Sequence, residues 1–378
     1  MNISITDNRR ALVVTEESFL GDQCFVTSRS GINIAEALLI EAIARLPDNC
    51  RLLVCGNRTG AAAMAAQGLL GAEVVVHTLD CYHQRKVKTN LERNNNTAVT
   101  VLCAPDIPER DYFDAALLQV SKGAMSNELL QDSLQQIHLA VKPGGKCLIA
   151  VDSDHAWQQQ QLKKLFGNCS VHAARRNGPA LLVATRDKPL KKIKKFDAEF
   201  DMMTPGREAI RLRTLPGVFS HRRVDAGAQA LAEVAEVRAG DRILDLGCGC
   251  GVVGISLAAA AADVHVTFVD SHVRATMVTE LNCKANALAD YRVLQSDQGL
   301  DEKGQFSVFV ANPPYFSNHK ISELFIRTGC HVLQPGGHAW VVAKTAKWHR
   351  QFMAETFGNA ELIRRRGYEI VKAVKGQQ

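Results

Sequence analysis

Short apolar runs alternate with helical patterns along most of the chain. The apolar runs have the length and composition of buried strands, and in the first half they occupy residues 51–55, 72–78, 97–103, 113–120 and 146–151. The first helical pattern covers residues 31–46, where one apolar face is predicted to contain Ile34, Leu38, Ala42 and Leu46. Strands that alternate with helices predict a parallel, doubly wound sheet.

The same order of elements recurs about 190 residues further along the chain. The strand at 52–56 corresponds to the strand at 243–247, and an acid closes the next strand in each half, at Asp80 and at Asp270. A Pro-Gly-Gly turn is predicted to end a helix in both halves, at 143–145 and at 335–337. Landmarks that stay in register predict an internal duplication, with two tandem α/β domains of one Rossmann-like fold.

Residues 243–254 join an apolar strand to a helix through several glycines. Such a loop presents free N–H groups and the positive end of a helix dipole, which suits a nucleotide. Residues 249–254, with Asp270 further on, match the dinucleotide fingerprint of dehydrogenases. The same loop also fits the D-x-G-x-G-x-G pattern of S-adenosylmethionine-dependent methyltransferases, with Asp245, Gly247, Gly249 and Gly251. The loop alone leaves both cofactors open.

A second motif, Asn312-Pro313-Pro314-Tyr315, directly follows the predicted strand 306–311. It therefore lies at the carboxyl end of a parallel strand, where ligands bind in such sheets. An Asn oxygen and a proline-flanked carbonyl can accept both hydrogens of an amino group and direct its lone pair. In isolation the motif would indicate a rigid turn. Beyond a D-x-G-x-G-x-G loop it favours methyl transfer to an amine over hydride transfer.

The first half lacks both motifs. Its loop at 56–60 keeps only two glycines, and residues 119–122 are Gln-Val-Ser-Lys where the second half has Asn-Pro-Pro-Tyr. The pattern predicts a degenerate first domain at 1–185, a lysine-rich linker at 186–205 and a catalytic domain at 206–378.

Composition and charge indicate the setting in which the protein works. Apolar residues make up 46% and charged residues 22% of the chain, as in soluble globular proteins. The sequence lacks an apolar run of membrane-spanning length and begins without a signal-peptide pattern, so we expect a cytoplasmic protein without a membrane partner. The net charge is +6, with basic clusters at 188–195 and 364–366. Each cluster alone fits solvated surface, but the two together favour a phosphate-backbone partner.

The 11 cysteines are scattered and form no C-x-x-C pair. Cys248 and Cys250 flank Gly249, but no second pair completes a four-ligand metal site. We expect reduced, structural cysteines and no metal.

Residues 206–378 resemble the bacterial ribosomal RNA guanine-N2 methyltransferases, namely small-subunit methyltransferase C and its sister, large-subunit methyltransferase G. The resemblance is carried by residues 214–220 and 224–227, the glycine loop and the Asn-Pro-Pro-Tyr motif. The tandem arrangement with a degenerate first half is also similar. The resemblance implies a class I methyltransferase fold, S-adenosyl-L-methionine as cofactor and a guanine N2 amine as acceptor, with the small subunit as first choice. The partner would be ribosomal RNA, a ribosomal subunit or an assembly intermediate.

The resemblance also implies a role for each site residue. Asp245 and the glycines at 247, 249 and 251 would hold the methionine end of the cofactor, and Asp270 its ribose. Asp297 would accept from the adenine amine, and Asp225 and Gly227 would help to close the pocket. Asn312, Pro313, Pro314 and Tyr315 would bind the acceptor amine.

Two departures from the family pattern keep alternatives open. Residues 221–223 lack a glycine that the family usually has, and Tyr315 replaces its usual Phe, a form common in protein-glutamine and adenine methylases. The alternatives are a large-subunit enzyme, a protein-glutamine methyltransferase, and a non-catalytic RNA-binding protein of ribosome assembly. We expect a monomer whose first domain holds RNA.

Overall fold

The structure is a computed structural model, and it describes residues 17–20, 23–26, 33–56, 58–173, 178–205, 208–314 and 319–377. The chain divides into two compact units, Met1–Phe196 and Asp197–Gln378. No helix in the described part of the chain combines the length and the apolarity that crossing a bilayer requires.

The first unit contains a two-stranded hairpin and a seven-stranded mixed sheet. In chain order its elements are β1 (Glu17–Leu20), β2 (Gln23–Val26), α1 (Ile34–Ile43), β3 (Arg51–Cys55), α2 (Ala61–Leu70), β4 (Glu73–Thr78), α3 (Cys81–Arg93), β5 (Val99–Cys103), β6 (Phe113–Val120), α4 (Asn127–Ala140), β7 (Val141–Val151), α5 (Ala156–Phe166), β8 (Ser170–Ala173) and β9 (Ala180–Thr185). The strand order in the sheet is β5-β4-β3-β6-β7-β9-β8. The pairs from β5 to β7 are parallel, whereas β9 is antiparallel to both of its neighbours.

The second unit repeats this plan. Its elements are β10 (Ala198–Met202), β11 (Ile210–Thr214), α6 (Ala226–Val234), β12 (Arg242–Leu246), α7 (Val252–Ala258), β13 (His265–Asp270), α8 (Val273–Ala285), β14 (Tyr291–Gln295), β15 (Phe306–Ala311), α9 (Lys320–Val332), β16 (Leu333–Ala343), α10 (Lys347–Phe357), β17 (Glu361–Arg365) and β18 (Tyr368–Val374). The sheet order β14-β13-β12-β15-β16-β18-β17 matches that of the first unit strand for strand. The predicted tandem, doubly wound fold is confirmed. The antiparallel pair at the sheet edge was not predicted.

The two halves also repeat side-chain hydrogen bonds. In the first unit, Asn168 Nδ2 donates to Thr185 O at 2.8 Å, and Thr185 N donates back to Asn168 Oδ1 at 2.8 Å. In the second unit, Asn359 makes the same exchange with Val374, at 2.8 and 2.7 Å. A duplicated domain is expected to repeat such hydrogen bonds at corresponding positions.

As predicted, each helix ends before its Pro-Gly-Gly segment and regular strand pairing resumes after it, but the segment itself is an irregularity within the strand. In the first unit, Phe113 pairs with Val141, but Ala115 pairs with Lys146, so the intervening residues of β7 form a bulge. Strand β16 has the same bulge against β15. Glycine is needed there because a Cβ on Gly145 would lie 2.8 Å from Asp114 O.

The predicted linker is partly structured. Residues 198–202 form β10, which pairs antiparallel with β11. Met202 is buried and contributes to the core of the second unit. The segment alternates along a half-buried strand, so its apolar residues at 200 and 202 face inward while the acids face out.

Helix α1 buries a wider face than the one predicted. Of the predicted residues, Ala42 and Leu46 are buried and Leu38 packs against the core, but Ile34 is 54% exposed, and Ala35, Leu39 and Ile43 are buried as well. The helix is apolar on several sides, so spacing alone could not choose the buried one.

Strand β12, in the middle of the second sheet, is buried on both faces. Leu244 lies in the core on one side of the sheet and Ile243 in the core on the other. This explains why the parallel strands are continuous apolar runs in the sequence.

Candidate functional site

The site lies at the carboxyl edge of the second sheet. Strands β12 and β15 are neighbours, and Leu246 pairs with Ala311 at their ends. Gly247 and Asn312 therefore begin side by side where the two strands stop. A cavity that is partly open to solvent lies here. Of the predicted site residues it is lined by Asp225, Asp245, Gly247, Gly249 and Asn312.

The glycine loop has a backbone that other residues rarely adopt. Gly247, Gly249 and Gly251 have φ values of 74°, 58° and 80°. A Cβ on Gly247 would lie 2.8 Å from the ring of Phe325, but a Cβ on Gly249 would meet no atom within 4 Å. Gly249 therefore borders open space in the cavity, where a ligand can approach the backbone closely.

Asp245 stabilises the start of the helix that follows the glycine loop. Its side chain is 3% exposed, and Oδ2 accepts from Gly254 N at 2.9 Å in the first turn of α7. Burial raises the pKa of Asp245 to about 7; the Gly254 N–H opposes that rise, and the charge of Asp270 adds to it. The carboxylate is therefore poised to ionise when a cation binds beside it.

Asp270, at the end of β13, holds the other side of the loop. Its Oδ2 accepts from Gly249 N and its Oδ1 from His272 N, both at 2.9 Å. Thr279 Oγ1 donates to Gly249 O at 3.0 Å, so both backbone groups of Gly249 are fixed. Asp297 lies half-buried in the turn after β14, one residue beyond Ser296, whose N donates to Asp270 O at 3.0 Å.

Asn312 is joined to the helix that precedes β12. Its Nδ2 donates to Asp225 Oδ2 at 2.9 Å, and the same oxygen accepts from Ala228 N at 2.8 Å as the N-cap of α6. A carboxylate only accepts, so the amide nitrogen faces Asp225 and Oδ1 is turned away from it. Within the described residues Oδ1 receives no hydrogen bond.

Pro313, Pro314 and Gly227 are not among the residues that line the cavity. Pro313 is buried and Pro314 half-buried, whereas Tyr315 lies outside the described residues. Gly227 makes room for a neighbour, because a Cβ there would lie 3.0 Å from the ring of Tyr368.

The loop that lacks the family's glycine adopts a strained path. Ser220 and Arg222 have φ values of 56° and 73°, which non-glycine residues seldom show. Thr214 Oγ1 and His221 Nδ1 hold the loop with a 2.8 Å hydrogen bond. This keeps Phe219, which is 62% exposed, at the cavity wall.

Comparison with known proteins agrees with this architecture. The model of the methyltransferase small domain matches residues 209–372, and the RLMG N-terminal domain model matches residues 30–184. Ribosomal RNA large subunit methyltransferase G of Streptomyces griseus is 29% identical, over 82% of this chain and 83% of its own. Ribosomal RNA small subunit methyltransferase C of Sodalis glossinidius is 31% identical over 48% of this chain.

The chain is similar to the ribosomal RNA methyltransferases C and G. The matched region spans about half the length of the Sodalis relative, 54%. A T. thermophilus 16S rRNA N2 methyltransferase, solved in complex with AdoMet and guanosine, shares the fold: the TM-score is 0.78 at 21% identity, covering 97% of this chain and 99% of that one.

The structure adds cavity residues to which the family resemblance assigned no role. Phe200, Arg223, Cys248 and Cys250 line the cavity together with Phe219. The alternating pattern at 198–202 was a usable signal for Phe200. The described part of the chain contains no cluster of three or more side chains suited to a metal ion.

The basic cluster at 364–366, one of the two that favoured a phosphate partner, forms ion pairs with glutamates of the chain. Arg365 and Arg366 both form ion pairs with Glu233, whose side chain is 2% exposed, and Arg364 pairs with Glu369. In this methyltransferase fold the cluster therefore has a structural role, and its charge is largely neutralised.

Proposed function

We propose that the protein transfers a methyl group from S-adenosylmethionine to the exocyclic N2 amine of a guanine in ribosomal RNA. The observation that carries the proposal is Asn312, which lines the cavity beside the glycine loop and is fixed by Asp225, with its amide oxygen turned away from that carboxylate. Because the substrate would be ribosomal RNA, the proposal also places the protein in the cytoplasm.

The residues present fit the cofactor. Gly249 offers an open backbone at the cavity, and Asp245 and Asp270 offer carboxylates for the cationic methionine end and the ribose. Asp297, at the end of the outer strand, would accept from the adenine amine. S-adenosylmethionine supplies an electrophilic methyl group. The protein's part is to hold the acceptor in line with that methyl.

Asn312 would orient the acceptor amine. A guanine N2 is a poor nucleophile because its lone pair is delocalised into the ring. Asn312 Oδ1 and the Pro313 carbonyl would accept its two hydrogens, which turns the lone pair towards the methyl. The proton can leave after the methyl has arrived, so no strong base is needed. Tyr315 would stack on the base.

Two substrates within this class compete. The small subunit is supported by the relatives named small subunit methyltransferase C. The large subunit is supported by the first-unit match and by a relative aligned over most of both chains. A deletion strain decides between them, since N2-methylguanosine should disappear from one site in one subunit's RNA.

The direct test uses purified full-length protein, radiolabelled S-adenosylmethionine and deproteinised ribosomal RNA from the deletion strain. We expect label in N2-methylguanosine after digestion and mass spectrometry. In a parallel reaction with purified translation factors in place of the RNA, label in a glutamine would support the alternative methylase. Binding to RNA without transfer would support an assembly protein. The Asn312→Ala variant is the control for contaminating activity.

We also propose that the first unit, with the lysine-rich segment that follows it, holds the RNA backbone. Lys191, Lys192, Lys194 and Lys195 are all exposed, and Lys194 also packs over Phe196 with Nζ 4.6 Å from the ring centre. Replacing these four lysines by Gln should weaken RNA binding and flatten its salt dependence. Donor affinity should not change; an unchanged salt dependence would count against this role.

A further inference from the structure

A column of planar side chains lies on α9 and α10, beside the candidate acceptor site. The His319 ring stacks on Trp348 at 4.4 Å and 11°, and Phe352 stacks on the other face of Trp348 at 4.9 Å and 10°. The guanidinium of Arg327 lies 5.2 Å from the Phe352 ring centre. His319, at one end of the column, is exposed.

The column is placed at the functional edge of the sheet. Helices α9 and α10 follow β15 and β16, which are neighbouring parallel strands, so both helices begin where those strands end. His319 lies five residues beyond Pro314 in the chain. Phe325, on the same helix, packs against the glycine loop at Gly247.

Exposed positive residues lie close to the column along the chain. Lys320, Lys344, Lys347 and Arg350 are all exposed. None of the four has an ion pair with another described residue, in contrast to the arginines at 364–366. The nearby Glu323 is paired with Arg327. A solvated basic patch alone would say little, but basic side chains interleaved with a stacked aromatic column are the pattern that binds single-stranded nucleic acid.

We propose that this surface binds the RNA strand next to the target guanosine. A flanking base extends the column by stacking on His319, while Lys344, Lys347 and Arg350 contact the phosphates. This inference rests on the proposed function, because it takes RNA as the occupant of the surface. Binding of the flanking nucleotide at this surface would position the target guanine as it enters the cavity.

Charge is tested with a matched pair of double variants. Lys347→Gln/Arg350→Gln removes two charges from the surface. Arg238→Gln/Lys303→Gln removes the same two residue types from exposed positions before β12 and β15, at the opposite edge of the sheet. The probe is a fluorescent single-stranded RNA of about 20 nucleotides, titrated at several salt concentrations. The surface variant should lower the salt slope by about 0.7 per lost contact, and the control should not. Equal slopes in the two variants overturn the proposal.

Stacking is tested separately with His319→Asn. Asn tolerates the left-handed backbone of His319, whose φ is 66°, so the fold is kept while the ring is lost. RNA affinity should fall roughly 5- to 150-fold, with S-adenosylmethionine affinity by calorimetry unchanged. Wild-type RNA affinity in this variant overturns the stacking role.

The two proposals can fail independently. If wild-type protein methylates no guanine yet these variants weaken RNA binding, the proposed function fails and the RNA surface stands. If methylation occurs and the variants bind RNA like the wild type, the surface fails and the proposed function stands. Variants that lose affinity only for a protein partner would assign the surface to protein and overturn the RNA proposal.

Discussion

Asn312 and Asp225 are joined by a 2.9 Å hydrogen bond from Nδ2 to Oδ2, and the same carboxylate oxygen caps α6. One side chain therefore fixes both the start of a helix and the orientation of an amide. The sequence assigned Asp225 to the cofactor pocket and Asn312 to the acceptor. The structure couples the two, because the amide oxygen can face an acceptor amine only while the nitrogen faces the carboxylate.

Asp225→Ser should separate these two roles. Serine still caps α6, so thermal stability should stay close to that of the wild type, whereas Asp225→Ala should lose about 1 kcal/mol. Neither variant fixes the amide, so both should slow single-turnover methylation by about tenfold or more. A Ser variant that methylates at the wild-type rate would show that Asp225 only caps the helix.

Asn312→Ala should slow methyl transfer by about 100-fold or more while leaving donor affinity nearly unchanged, because Asn312 orients only the acceptor. Rate is measured in single turnover and affinity by calorimetry. Equal losses in rate and in donor affinity would indicate a structural residue.

The raised pKa of Asp245 predicts how donor binding depends on pH. The pKa is about 7 in the donor-free protein, so a cationic donor should bind with release of a proton near neutral pH. Donor affinity should fall by up to about tenfold per pH unit below pH 7. In Asp245→Asn the amide oxygen can still accept from Gly254 N, but this dependence should vanish. Calorimetry in two buffers of different ionisation enthalpy measures the released proton; no release in the wild type contradicts the prediction.

The raised pKa of Asp245 also makes the stability of the protein depend on pH. The folded pKa of Asp245 lies above its ordinary value of 3.8, so its contribution to stability is complete below that value. That contribution is lost as the pH rises through about 7. Compared with Asp245→Asn, the donor-free wild type should therefore become relatively less stable between pH 4 and 7 by chemical denaturation.

The fold was largely predictable because its signals are local. Continuous apolar runs marked strands that are buried on both faces, and the repeat in register fixed a duplicated architecture before any contact was known. The glycine loop and Asn312 could be placed together because carboxyl ends of neighbouring parallel strands meet at one edge.

What the sequence could not provide are contacts between distant segments. The bond between Asn312 and Asp225 joins residues from different elements, and no local pattern specifies it. In the first unit Val54 stands at the position of Asp245, so loss of the site was visible. The sequence did not show which acid replaces it. In the structure Glu36, from α1, accepts from Thr59 Oγ1 and Ala62 N at the start of α2.

The structure also changes where the catalytic unit should be cut. Strand β10 lies before residue 206 and supplies Phe200 to the cavity and the buried Met202 to the core. Thr204 Oγ1 lies 3.2 Å from Ser256 Oγ in a buried contact. A fragment that begins at residue 206 lacks all three.

We therefore expect a fragment of residues 197–378 to bind S-adenosylmethionine like the full chain, and one of residues 206–378 to be less stable. Loss of the buried Met202 side chain alone should cost about 2–5 kcal/mol. Thermal unfolding and calorimetry on both fragments check this; equal stability would mean that β10 is dispensable.

The longer fragment, residues 197–378, also tests the role of the first unit. If it methylates ribosomal RNA with the KM of the full chain, the first unit does not hold RNA. If donor affinity is kept but the KM for RNA rises, the RNA-holding role survives, because the chemistry is intact and only the substrate contact is missing.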